Sequence, residues 1–173
     1  MRKIFLISII SFSILISVNC KASDLDSGFI YRNEIKKNSI NTVQMFPIGW
    51  ELAEPVIQLK GDNQLLFSFD EIKENIQDYS YRILHCDKNW YNSGLSEFDF
   101  LEGFSENQIT EYEHSFNTNV NYIHYSVKIP NDDISLKLSG NYVIEVYEDF
   151  DPEKVVIRQR FMILDSKLIF KEL

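Results

Sequence analysis

The sequence predicts an all-β protein, an immunoglobulin-like sandwich of about eight strands preceded by a cleaved signal peptide. Three observations lead there. Apolar and polar residues alternate with a period of two in run after run, and no segment sustains a 3.6-residue period. Turn residues separate the runs at near-regular spacing, as in sandwich folds. Gly140-Asn141-Tyr142 enters one run in the manner of a tyrosine corner.

Val43 and Met45 alternate with Thr42 and Gln44, and Val56-Ile57-Gln58-Leu59 follows Pro55. Gly61-Asp62-Asn63 makes a turn into a run whose one face carries Leu65, Phe67 and Phe69. Tyr79, Tyr81, Ile83 and His85 share a face of the next. Residues 87–109 break the pattern, with one helical turn expected around Ser96–Leu101. Tyr112, His114 and Phe116 alternate again, then Ile123, Tyr125, Val127 and Ile129 up to the Pro130-Asn131-Asp132-Asp133 stop. Tyr142, Ile144 and Val146 face one way, and Val155, Ile157, Gln159, Phe161 and Ile163 finish the domain. The expected organisation is a signal segment at 1–22, a polar lead-in at 23–38, the sandwich at 39–165, and a tail or linker at 166–173.

Arg2 and Lys3 followed by the apolar run Ile4–Val18 form the leader, which is too short and too often broken by serine for a membrane span. Cleavage is expected after Ala22, with Cys20 and Ala22 as the small residues. Lipid attachment at Cys20 is the alternative, with Asn19 where a lipobox carries Gly or Ala. Cys86 is then the one remaining cysteine, so an internal disulfide is impossible. Loss of Arg2, Lys3 and Lys21 takes the formal charge from −9 to −12. A surface this acidic repels nucleic acid and anionic headgroups.

The sequence offers no catalytic constellation, and no enzyme activity, cofactor or small-molecule substrate is expected. His85 and Cys86 are adjacent on a strand and point to opposite faces, so they form no dyad. A zinc site would need His85 and Asp87 on one face with His114 or His124 from a neighbouring strand. Carboxylates alternate at Asp149–Glu153, but the run lacks the glycine and distal glutamate of a calcium loop. No metal site is assigned. Trp90, Tyr91, Phe98, Phe100 and Phe104 lie in the unpatterned connection, where surface aromatics serve as anchors for a partner. The same residues suit a cap over the core, or stacking on a sugar in a carbohydrate-binding module of the cell envelope.

Several segments, in order, resemble the N-terminal domain of the type IX secretion system plug protein family. They are Asn41-Thr42-Val43-Gln44, Pro47-Ile48-Gly49-Trp50-Glu51-Leu52, Pro55–Leu59, Leu65–Asp70 and Tyr79-Ser80-Tyr81. His85-Cys86-Asp87 with Trp90, Gly103-Phe104, Ser115–Thr118, Pro130–Asp133, Ser139–Tyr142 and Tyr147–Asp149 continue the match. The resemblance implies a periplasmic, outer-membrane-associated protein that closes a translocon barrel when no substrate is passing. It implies action by binding, with the barrel as partner. Family members usually continue past this domain, so a further domain from another chain is a possible partner.

Overall fold

A computed structural model describes residues 28–165. The predicted signal segment and the predicted tail or linker lie outside the described residues. Within them the strands run in order: β1 (Glu34–Ile35), β2 (Ile40–Pro47), β3 (Val56–Gln58), β4 (Leu65–Glu71) and β5 (Tyr79–Cys86). A single helical turn, α1 (Glu97–Phe100), precedes β6 (Leu101–Gly103), β7 (Glu106–Gln108) and β8 (Glu111–His114). Then come β9 (Ile123–Ile129), β10 (Ile134–Leu136), β11 (Gly140–Glu148) and β12 (Val155–Leu164).

The eight alternating runs are β2, β3, β4, β5, β8, β9, β11 and β12, and the helical turn is α1. Its start is fixed by the Ser96 amide, which donates to Asp99 Oδ2 at 3.1 Å. The four further strands, β1, β6, β7 and β10, have two or three residues each. They are too short to show a period.

Two sheets face each other. One has the order β2-β4-β9-β8; the other runs β1-β12-β11-β5-β7, with β3 parallel to β12. This is an immunoglobulin arrangement, with β2-β4-β9-β8 as strands ABED and β5-β11-β12 as CFG. The tyrosine corner is present: Tyr142, near the start of the F-equivalent β11, donates its hydroxyl to the Leu138 carbonyl at 2.7 Å. No disulfide joins the B- and F-equivalent strands. Rings pack between the sheets, with Phe69 edge-on to Tyr79 at 5.2 Å and Tyr79 edge-on to Tyr125 at 5.1 Å.

The period-two faces of β4, β5, β9 and β11 are buried as the alternation requires, whereas Tyr112, His114 and Phe116 are exposed. Leu65, Phe67, Phe69, Tyr79, Tyr81, Ile83, Tyr125, Tyr142, Ile144 and Val146 are all inside. Each such side chain contributes about 1.5–3 kcal/mol by leaving water. One position is out of phase. The register shifts at Val146/Tyr147, so Val156 has no opposite number and joins the core cluster in place of Val155.

The outer face of the six-stranded sheet is covered too. Val143, Glu145 and Tyr147 point away from the core yet are buried. Residues from Phe29 onward, which look like a polar lead-in, supply much of the lid. Tyr31 packs with Cys86, Val143 and Trp90, and β1 pairs with β12. At the far end Lys37 Nζ lies 2.6 Å from buried Glu71 on β4 and also pairs with Glu148 on β11, tying the two sheets together.

Candidate functional site

The chemical constellations dissolve first. His85 lies between the rings of Phe100 and Tyr142, at 5.6 and 5.0 Å, on the core side. Cys86 sits on the opposite face beside Tyr31 and Val143. Burial, with the Asp87 charge second, pushes its thiol up to about 12, the wrong direction for a nucleophile. His124 Nδ1 is 2.6 Å from Asp70 Oδ1 on the other sheet, and His114 is exposed on β8. Among the described residues no three His, Cys, Asp or Glu side chains group closely enough to hold a metal ion. The Asp149 carboxylate accepts from Lys154 at 2.9 Å and Gln77 at 3.1 Å, and Asp151 accepts from the Glu153 amide. These carboxylates build a turn.

The five aromatics of the connection part company. Phe100 is buried against His85 and Tyr142 as a core cap. Trp90 is half-buried at a positive φ of 69°, its carbonyl accepting from the Tyr31 amide at 2.9 Å. The Arg160 guanidinium covers its ring at 4.2 Å. Tyr91 is half-buried, its amide donating to Asp87 Oδ1 at 3.0 Å. Phe98 and Phe104 stand out, 85 % and 69 % exposed.

Their mounting is rigid. Phe98 is on α1, held by buried Phe100 and Leu101 on either side of the helix end. β6 pairs with β10, and the Phe104 amide donates to the Asp133 carbonyl at 3.1 Å. Gly103 makes that approach possible. Its φ is +106°, and a Cβ there would sit 2.0 Å from the Asp133 oxygen. Glu97, Asp99 and Glu102 flank the two rings in sequence, and Asp133 is brought beside Phe104 by its backbone, giving exposed rings among carboxylates.

Alternation gave no signal for a second apolar surface at the same end of the sandwich. The β2–β3 connection exposes Trp50 by 73 % and leaves Leu52 fully open. Beneath Trp50 lies a cleft of about 340 Å³ lined by Ile48, Val56, Ile57 and Leu164, among others. The available sequence signal was a Trp and a Leu next to Pro47 and Gly49, where no strand can bury them. The opposite end also shows apolar tips, Phe116 and Phe150 among them.

Fold and surface together define an immunoglobulin-like sandwich with exposed apolar side chains at its ends. The family profile described as type 9 secretion system plug protein 1st domain matches residues 40–165, and the chain belongs to that family. Comparison with curated proteins finds no match. Among solved structures, a hypothetical protein from Parabacteroides merdae ATCC 43184 is similar at 30% identity with a TM-score of 0.77. The match covers 79% of this chain and 34% of that one, so the chain spans about a third of that protein's length.

Proposed function

We propose that the chain is a non-enzymatic, periplasmic component of type IX protein secretion. It binds the outer-membrane translocon barrel and occludes it when no substrate is passing. The family match over residues 40–165 is the observation that carries this reading. The predicted export leader and the acidic, apolar-tipped sandwich agree with it. Phe98 and Phe104 supply the anchors, and the carboxylates around them form the polar rim. The carbohydrate-binding alternative is weaker, because the Trp90 face a sugar would stack on is occupied by Arg160.

Affinity capture from detergent-solubilised envelope membranes tests the proposal. The tagged chain is expected to retain the translocon barrel. Recovery of the folded chain without the barrel would reject it.

A further inference from the structure

The sheet β2-β4-β9-β8 ends on one side at β8, and among the described residues no strand pairs with its far edge. The Ser115 amide donates to the Tyr122 carbonyl at 2.9 Å, which fixes the phase of the β8–β9 ladder. Backbone groups alternate in direction along a strand, so Glu113 and Glu111 bond to β9 as Ser115 does. The N–H and C=O groups of Tyr112 and His114 then point outward, and all four residues of β8 are exposed. An edge of this kind is a template for another extended chain. The opposite edge, β2, is blunted: its register with β4 shifts between Asn41 and Gln44, and it ends at Pro47.

The side chains along β8 define what fits there. Glu111 and Glu113 lie opposite Ser126 and His124, on the solvent face of the sheet, whereas Tyr112 lies opposite buried Tyr125. His124 pairs with Asp70 on β4 at 2.6 Å. Beside Glu111 a cleft of about 370 Å³ adds Asp132 and Asp133 against Lys128. A second copy is a poor occupant, since β8 paired with itself about Tyr112 would set Glu111 opposite Glu113. We infer that β8 takes up an extended segment of another polypeptide by strand addition, with basic side chains opposite Glu111 and Glu113 and an apolar one between them beside Tyr112. The edge thus reads an alternation of basic and apolar residues, and Tyr112 and His114 supply the backbone hydrogen bonds. This surface uses neither Phe98 nor Phe104.

Binding of a fluorophore-labelled peptide, Lys-Val-Lys-Val-Lys, to the purified chain tests this, read by anisotropy and by amide hydrogen exchange. The peptide is expected to bind, and Glu-Val-Glu-Val-Glu at least about tenfold more weakly, since both cross-strand charge pairs turn repulsive. Exchange of the Tyr112 and His114 amides should slow on binding, while the Glu111 and Glu113 amides, already bonded to β9, keep their rates. His114→Pro removes an outward N–H and leaves the β9 ladder intact, so it should weaken binding about tenfold with the melting transition retained. Glu111→Lys with Glu113→Lys should reverse the preference between the two peptides. Absent or unselective binding would overturn the inference, as would equal affinity of folded His114→Pro. Binding with no new protection at Tyr112 and His114 would also overturn it, marking adsorption to the acidic surface alone. Protection of those amides that rises with the concentration of the chain alone would do the same, by making the occupant a second copy. The exchange readout uses the native chain, so it decides the outcome even where a variant fails to fold. Capture of the translocon plays no part in it, so this test and that of the proposed function fail separately.

Discussion

Glu145 and Arg158 meet across β11 and β12 at 2.6 Å, with the carboxylate only 1 % exposed on the outer face of a sheet. Arg82 reaches the other carboxylate oxygen from β5 at 2.7 Å. Phe29 lies over Arg158 at 4.8 Å and keeps water away. A charge this buried is tolerable because both oxygens are paired. Glu145→Ala would leave Arg82 without this partner and Arg158 with only the partly exposed Glu34, 3.0 Å away. It should cost about 3 kcal/mol, the low end for a broken buried pair, because both guanidinium groups retain some solvent. Urea unfolding measures it, and a loss too small to resolve would show that the lid over this face is loose.

Gly140 faces His85 so closely that a Cβ would lie 2.6 Å from Nε2, at a φ of +154°. Gly140→Ala should destabilise by about 1–3 kcal/mol, the range for a residue held in a strained conformation. The loss should shrink in a His85→Ala background, where the clash is gone. A double-mutant cycle with no coupling would contradict the packing described.

Burial depresses the pKa of His85 below its ordinary value of 6.5, against a smaller opposing pull from the Ser139 backbone. Above about pH 6.5 the imidazole is neutral in both states and contributes no pH dependence. As pH falls through that value the unfolded chain takes up the proton first, so the folded state loses stability until its own lower pKa is passed. Wild type should therefore lose stability between pH 7.5 and 5.5 relative to His85→Phe. Parallel stability profiles would contradict it.

The Tyr142 hydroxyl is a further separable contribution. Tyr142→Phe keeps the ring between His85 and Phe161 but strips a partner from the Leu138 carbonyl. The expected loss is about 1–2 kcal/mol, read by thermal or urea melts. An unchanged melt would mean that the corner is held by packing alone.

Alternation made β4, β5, β9 and β11 legible because one face of each is sealed in the core, so a single slip would expose Phe67 or Tyr81; β8 alternates although all four of its residues are exposed. Four strands were invisible for a physical reason. β1, β6, β7 and β10 are held by pairing, with too few residues to show a pattern. The bulge at Val156 breaks the phase and was equally unreadable. Burial of Glu145 and Tyr31 reflects a lid laid over a second face, which tertiary contact alone creates. The candidate site was half legible. The aromatics of the connection were visible in sequence, but whether each turned in or out was decided elsewhere: Phe100 by the space beside His85, Trp90 by Arg160, and Phe104 by Gly103. The Trp50 loop entered only through the family motif, since nothing in its spacing distinguishes an open tryptophan from a buried one.

Binding of the purified chain to the purified translocon barrel, compared with Phe98→Ser/Phe104→Ser, bears most directly on whether this domain works by docking its free aromatics. Wild type should bind, and the double variant, with an unchanged melting temperature, should bind at least about tenfold more weakly. Phe116→Ser/Phe150→Ser at the opposite end should bind like wild type. Equal affinity for wild type and the Phe98/Phe104 variant, or a loss confined to the Phe116/Phe150 variant, would contradict this.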